Sequence, residues 1–363
     1  MTALQSRGYA YCCACGHVFD PDLLIRSGFI KISESSDMWT VCMKDPAVIF
    51  SDVLSCITDT FAEDEQMIEV CVDNAKRLER AAAQLYPGSL LLNIDTGVMN
   101  YRLSGKIIHA CLEEGFERIC SPFGKILKSV GIPGVITMPH NSEKRYDTDL
   151  AGFEIVEKKG YPELAAQMRT IRSMDMPFVL VDDLFHKGYR MKKVSLSLSQ
   201  EGMHEDGVIV GVISSQGKEL RDRESRNIDA VYEVPNLRYW IIESDMIPFF
   251  GGDKVESMPG VYTSTYPLLP YQFPSFLKDA SYDSVYNFSY VCLENAVRFF
   301  AVLEALYKEK YHRTLSAGRL SEVLTEAGCP ESFYGAEYEN RPASQLISEE
   351  LKRLKRLRKG GRS

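Results

Sequence analysis

The run Phe178-Val179-Leu180-Val181-Asp182-Asp183 sets two adjacent carboxylates at the end of four apolar residues. A short stretch, Leu184-Phe185-His186-Lys187-Gly188-Tyr189-Arg190, then leads into a helical pattern. Four apolar residues without alternation fit a strand buried on both faces of a parallel sheet. At the carboxyl end of such a strand, side chains and loop face the ligand crevice of an open α/β sheet. Two carboxylates there can hold hydroxyl groups or a hydrated magnesium ion. Amides of a glycine-bearing loop at a helix N-terminus can cradle a phosphate. The competing reading is a strand-end acid pair that caps the next helix.

Comparable polar segments follow other apolar runs. Asp95-Thr96-Gly97-Val98-Met99-Asn100-Tyr101-Arg102 follows Leu90 to Ile94, and Pro122-Phe123-Gly124-Lys125 follows Arg118-Ile119-Cys120. The stretch from His140 to Asp149 is polar, long and free of glycine, and it contains Lys144 and Arg145. Glu243 to Asp253 carries the aromatic pair Phe249-Phe250 and a Gly-Gly-Asp turn. An aromatic pair there suits a planar ring, with Asp253 reading its edge; the plainer reading is that both rings are core.

The elements that must position these groups follow from hydrophobic periodicity. Strands are predicted at 90–94, 118–120, 135–138, 178–181, 208–213, 230–232 and 239–242. Helices are predicted over 64–85, 103–113, 161–173, 285–308, 315–327 and 343–359. Alternating strands and helices predict an α/β fold with a doubly wound, mainly parallel sheet. Three parts are expected: a small N-terminal segment over 1–60, the α/β domain with its leading helix over 61–260, and a helical C-terminal region with a basic tail over 261–363.

Composition excludes several classes. The 363 residues are 45% hydrophobic and 25% charged, ordinary for a globular chain rather than a disordered or fibrous one. The net charge is −8, yet seven basic residues and no acid lie between Lys352 and Arg362. Setting that +7 aside leaves −15 on the remainder, an acidic body unsuited to broad nucleic-acid binding. The tail is read as a solvated helix end favoured by the helix dipole, or as a contact for an acidic partner or nucleic acid. No apolar run approaches the ~20 residues that span a bilayer, and no signal-peptide core is seen, so a cytoplasmic protein with no membrane contact is expected. Ten cysteines are too dilute for a disulfide scaffold, and Cys71, Cys111, Cys120 and Cys292 read as small core residues. Cys12, Cys15 and His17 have the spacing of half a zinc knuckle, but no second pair completes it.

In this order of elements, the Asp182-Asp183 segment resembles the phosphoribosyltransferase family of the type I fold, over about residues 89–254. The resemblance implies that Asp182 and Asp183 hold the ribose of phosphoribosyl pyrophosphate, with magnesium reached through water. It implies that His186, Lys187, Gly188, Tyr189 and Arg190 form the 5′-phosphate loop. That loop is atypical, because Lys187 and Arg190 stand where the family has hydroxyl residues. Asp95, Thr96, Gly97, Arg102 and Lys125 would hold pyrophosphate. Lys144 and Arg145, on the segment matching the family's flexible loop, would meet the leaving pyrophosphate. Phe249, Phe250 and Asp253 would take a nitrogenous acceptor. The implied activity is magnesium-dependent displacement of pyrophosphate from C1 of ribose, or its reverse. The alternative is a non-catalytic module of the same fold that senses a phosphorylated ribose or nucleotide and signals to a partner. Relatives of this fold often pair, so a homodimer is an expectation. A weaker resemblance joins Gly28-Phe29-Ile30-Lys31 and Asp37 to Met43 to the final strands of a GNAT-type acetyltransferase.

Overall fold

The computed structural model describes residues 10–12, 18–19, 30–33, 38–41, 46–87, 90–113, 117–124, 132–149, 151–158, 160–250, 252–258, 261–264, 277, 279–325 and 339–360. Four short strands open the chain: β1 (Ala10–Cys12), β2 (Val18–Phe19), β3 (Ile30–Ser33) and β4 (Met38–Val41). The apolar strand β5 (Ala47–Ser51) precedes the long helix α1 (Glu65–Ala83). Asp64 caps α1 by accepting from the Gln66 and Met67 amides. Strand β6 (Leu90–Asp95) passes directly into α2 (Thr96–Ile108), and β7 (Ile119–Pro122) follows. A hairpin, β8 (Ser142–Tyr146) and β9 (Phe153–Glu157), is followed by α3 (Leu164–Arg172). Then come β10 (Phe178–Phe185), α4 (Tyr189–Gln200), β11 (Gly207–Ile213), α5 (Ser215–Glu224), β12 (Ile228–Glu233) and β13 (Tyr239–Ile242). A second short pair, β14 (Lys254–Met258) and β15 (Val261–Ser264), precedes α6 (Tyr282–Tyr311) and α7 (Ala343–Gly360).

The main sheet has the order β3-β4-β12-β11-β10-β7, parallel from β4 to β7. All seven residues of β11 are buried, as a strand covered on both faces requires. A second sheet has the order β13-β5-β6-β1-β2, of which β13, β5 and β6 are parallel. A small third sheet, β15-β14-β8-β9, joins the hairpin to the segment after residue 253. The chain is thus a mixed α/β protein with mainly parallel sheets and a helical C-terminal region. Its helical core surrounds Phe299, Phe300, Leu303, Tyr307, Leu346 and Ile347. Asn74 and Asn295 tie α1 to α6, each amide donating to the other's backbone carbonyl at 2.9 and 2.8 Å. Among the described residues no helix is long and apolar enough to cross a membrane.

The sequence-based divisions need correction. A boundary at residue 60 would cut through both large sheets, because β4 lies beside β12 and β5 lies between β13 and β6. The acetyltransferase-like strands do pair as a hairpin, but they extend the main parallel sheet at its edge. A two-strand likeness is local and cannot report which sheet the strands join. The strand expected at 135–138 is reduced to isolated bridges, Cys120 with Thr137 and Phe123 with His140. Pro133 and Pro139 flank it and cannot donate to a ladder. The helix expected at 315–327 is only a 3₁₀ turn, Ala317–Glu322, held by Ala317 and Gly318 amides that donate to the Arg341 and Glu339 carbonyls. Cys71, Cys111, Cys120 and Cys292 are buried as expected. Residues 13–17 and 125–131 lie outside the described residues, so the Cys12-Cys15-His17 knuckle is not described beyond the strand position of Cys12.

Gly217 is a packing requirement: a Cβ there would lie 2.1 Å from the Phe185 carbonyl oxygen, which is backbone. Gly105, on the exposed side of α2, would meet nothing within 4 Å. Gly217→Ala should therefore cost about 1–3 kcal/mol of stability, as overpacking does. Gly105→Ala should add up to about 1 kcal/mol by helix propensity. Urea denaturation of the two variants checks the contrast.

Candidate functional site

Strand β10 carries both acids inside the strand, where Asp182 is in register with Val210 of β11. Asp182 is buried and Asp183 half-buried. The turn after β10 ends at Gly188, whose φ of +67° is open to glycine and whose added Cβ would strike Leu220 at 2.3 Å. This tight turn starts α4 at once and brings Arg190, in its first turn, back over the acid pair.

Arg190 Nη1 donates to Asp182 Oδ1 at 2.9 Å and reaches Asp183 Oδ1 at 3.5 Å. Asp182 Oδ1 also accepts from the Asp183 amide at 2.8 Å. The guanidinium carbon lies 3.7 Å from the centroid of the Phe123 ring, a close cation–π contact. Burial pushes the Asp182 carboxyl up from its ordinary range; Arg190 pulls it back, and Asp183 adds to the rise. Burial alone would lower the Arg190 value, but Asp182, Asp183 and Asp253 more than offset it. Arg190 thus stays charged, gripped between two acids and an aromatic face.

Behind Phe123 stands His140, edge-on at 5.1 Å, with Nδ1 2.9 Å from Ser121 Oγ. Ser121 Oγ donates to the Met138 carbonyl, so His140 Nδ1 is the donor to Ser121 and its Nε2 is left as an acceptor. Just after it, Asn141 Oδ1 and Ser142 Oγ are buried with no hydrogen-bond partner.

The hairpin and β13 close the other side. Lys144 Nζ lies 3.4 Å from Asp253 Oδ2, 5.6 Å from the Phe153 centroid and 5.9 Å from the Trp240 centroid. Trp240 meets His186 edge-on at 5.5 Å, and His186 Nδ1 lies 2.6 Å from Ser214 Oγ. Phe153 meets Tyr189 edge-on at 5.2 Å. Lys144, Asp253, Tyr189 and His186 are thus joined through Phe153 and Trp240, and Asp253 acts electrostatically on Arg190 of the acid cluster. Lys187, beside them, is exposed.

Other expected site residues lie elsewhere in role or place. Arg145 shares the opposite face of β8 with Glu143, 3.5 Å away, because alternate residues of a strand face alternately. Asp95 caps α2 through the Val98 amide at 3.0 Å, and Thr96 Oγ1 donates to the Ser51 carbonyl at 2.9 Å. Gly97 lies in the first turn of that helix, so no glycine loop separates β6 from α2. Arg102 is half-buried and faces Tyr232. Lys125 lies outside the described residues. Phe249 and Phe250 are 2% and 1% exposed and pack on Phe300 and Phe299 at 5.6 and 5.2 Å, so they are helical core and not a ring-binding hood. Asp253 neutralises Lys144 in place of reading a ring edge.

Phe153 and Trp240 lie beside the candidate site and were not singled out from the sequence, while Phe123 and His140 were named only as members of their segments. For the first two, the one available signal was that Trp240 is one of only two tryptophans.

Magnesium does not fit the acid pair as it stands. The Arg190 guanidinium already bonds both carboxylates from the side a bridging cation would take, and among the described residues no three acidic, histidine or cysteine groups are placed to hold a metal.

A second buried acidic group closes the ends of β5, β6 and β13. Asp52 accepts from the Ser244 amide at 2.8 Å and its hydroxyl at 2.6 Å, and Glu79 accepts from Asn93 at 2.6 Å. Burial pushes Glu243 up to about 8, with Asp52 and Glu79 adding and a Ser51 hydrogen bond opposing. Its bonds are all to neighbouring protein groups, and it reads as a strap between sheet and helix.

No protein-family model matches the sequence, and no curated protein matches it. Among solved structures, the chain is similar to hypoxanthine phosphoribosyltransferase from Trypanosoma cruzi at 8% identity, over 39% of this chain and 73% of that one, with a TM-score of 0.27. It is also similar to adenine phosphoribosyltransferase from Thermoanaerobacter pseudethanolicus at 15% identity, over 43% of this chain and 99% of that one, with a TM-score of 0.25. Orotate phosphoribosyltransferase from Mycobacterium tuberculosis is similar at 13% identity, over 47% and 89% of the two chains, with a TM-score of 0.25. Values this low say nothing about activity, which must be read from this chain's own residues.

Titration of the buried groups is directly measurable. Burial holds His140 down at about 3, with Arg190 adding, and His186 at about 4, with Lys187 adding. Unfolded histidines protonate near ~6.5, so the contribution of both is complete above that pH and fades as the pH falls toward their folded values. Glu243 has the opposite sign: a raised folded value gives a contribution that is full below the ordinary carboxyl range and is lost as pH rises through about 8. Urea midpoints should fall on both sides of neutrality. His140→Gln should flatten the acid limb and Glu243→Gln the alkaline limb; limbs unchanged by these variants would contradict the assignment.

Proposed function

We propose that the crevice over Asp182 and Asp183 binds a phosphorylated ribose. The observation that carries this reading is the acid pair on a central parallel strand, with Arg190 bonded to both carboxylates and with Lys144 paired to Asp253, which acts electrostatically on Arg190. Carboxylates accept bonds from vicinal ribose hydroxyls, while a guanidinium and an ammonium attract the phosphate. The half-buried position of Asp183, and the exposure of Tyr189 and Lys187 beside it, leave a ligand a way in.

The two readings of such a crevice differ in chemistry. Phosphoribosyl transfer would break the bond from C1 of ribose to pyrophosphate and join C1 to a nitrogen nucleophile, and Lys144 is the cation available to the departing pyrophosphate. Sensing would need binding alone. Three features favour sensing. The acids are already paired with Arg190. Helix α2 begins where a pyrophosphate loop was expected. The aromatic pair expected to hold an acceptor is core. We therefore favour a ligand-binding module of phosphoribosyltransferase-like architecture, with transfer as the second reading.

Calorimetry with phosphoribosyl pyrophosphate, ribose 5-phosphate and nucleoside monophosphates tests the site. Wild type should bind at least one, and Asp182→Asn with Asp183→Asn should weaken it by about tenfold or more, the loss expected for charged hydrogen bonds. No binding by wild type would refute the proposal. Pyrophosphate release matched by base glycosylation, across a panel of nitrogenous bases, would establish transfer over sensing.

A further inference from the structure

We infer that Arg190 does in this crevice the work a divalent cation would do, so that the phosphorylated ribose is taken without a metal. The inference rests on the ribose-phosphate reading of the site. A divalent ion serving Asp182 and Asp183 would have to lie against their carboxylates, directly or through one layer of water. That position is held by the guanidinium, bonded to Asp182 at 2.9 Å and reaching Asp183 at 3.5 Å.

The guanidinium is held there by more than the acids. Its flat face rests on Phe123 at 3.7 Å, and Phe123 is itself backed by His140. Its backbone position follows from the Gly188 turn, where a φ of +67° favours glycine and an added Cβ would press on the Leu220 side chain. A lysine in its place would be a point charge without the stacking face, and a neutral residue would leave a buried carboxylate without an opposite charge. Arginine is charged at every working pH and keeps donors in a planar fork. Two of those features, permanent positive charge and several directed contacts to oxygen, are what magnesium contributes between carboxylates and phosphate oxygens. An ion added beside the guanidinium would meet a like charge at contact distance.

The test uses the full chain, titrated with phosphoribosyl pyrophosphate in excess EDTA and again in excess magnesium, alongside thermal unfolding with magnesium alone. Wild type should bind within about twofold in the two media, and magnesium alone should leave its unfolding temperature unchanged. Arg190→Met keeps the apolar contact with Phe123 and removes the charge. It should lose about tenfold or more in EDTA and recover in magnesium, and magnesium alone should raise its unfolding temperature. Should Arg190→Met fail to fold, Asp182→Asn with Arg190→Met removes the unpaired acid, and that double variant should gain no stability from magnesium. Wild type that binds about tenfold tighter with magnesium, or that magnesium alone stabilises, would overturn the inference while leaving the ribose-phosphate site intact. Wild type that binds in neither medium would overturn both.

Discussion

A carboxylate placed inside a parallel sheet must be met by an opposite charge or give up its own. Asp182 lies on β10, between β7 and β11, where solvent does not reach it. Arg190 meets it, and much of the surrounding architecture serves that meeting. The left-handed turn at Gly188 starts α4 close enough to return the guanidinium to the strand it has just left. Phe123, at the end of the neighbouring β7, supplies the face on which the guanidinium rests. His140 and Ser121 back that ring from the next layer. Gly211 leaves room for both Met99 of α2 and the Asp183 carbonyl, each of which an added Cβ would strike.

Two further layers converge on this ion pair. The hairpin β8–β9 joins β14, which sets Lys144 against Asp253 and the rings of Phe153 and Trp240. Trp240 belongs to the second sheet, so the site spans both large sheets. The C-terminal helices hold the arrangement from behind: Phe249 and Phe250, a few residues past β13, are anchored in the helical core by Phe299 and Phe300. An aromatic pair that looked suited to a ligand is better used as the bolt that fixes the end of the last parallel strand.

Much of the α/β body was legible in the chain. The unbroken apolar runs at 178–181 and 208–213 name buried parallel strands, because only a strand covered on both faces can dispense with polar alternation. The helices α1, α6 and α7 were legible from their periodicity. The acid pair and its cationic neighbours were legible as a cluster, because they stand within nine residues of one another along the chain. Less legible were the roles within the site. Arg190 looked like a phosphate ligand alone; in the fold it also pairs with the acids, since burial favours pairing within the chain over exposure to solvent. Arg145 looked equivalent to Lys144, and the pleat of a strand separates them. Gly97 looked like a loop residue, and the Asp95 cap draws it into a helix.

What the residues determine by themselves is local: strand or helix, buried or exposed, where a turn must admit glycine, and which charges stand together along the chain. Those properties depend on neighbours within a few positions, and the sequence states them directly. Which groups meet across the fold was decided only in three dimensions. Trp39 beside Tyr232, Phe123 beneath Arg190, and Lys144 beside Trp240 are separated by long stretches of chain and join through sheet order and crossover. No local pattern encodes that order, because the same strand can pair with any other of matching burial. The physical reason is that long-range pairing is set by the total burial of apolar surface and the satisfaction of buried charge, which belong to the whole molecule.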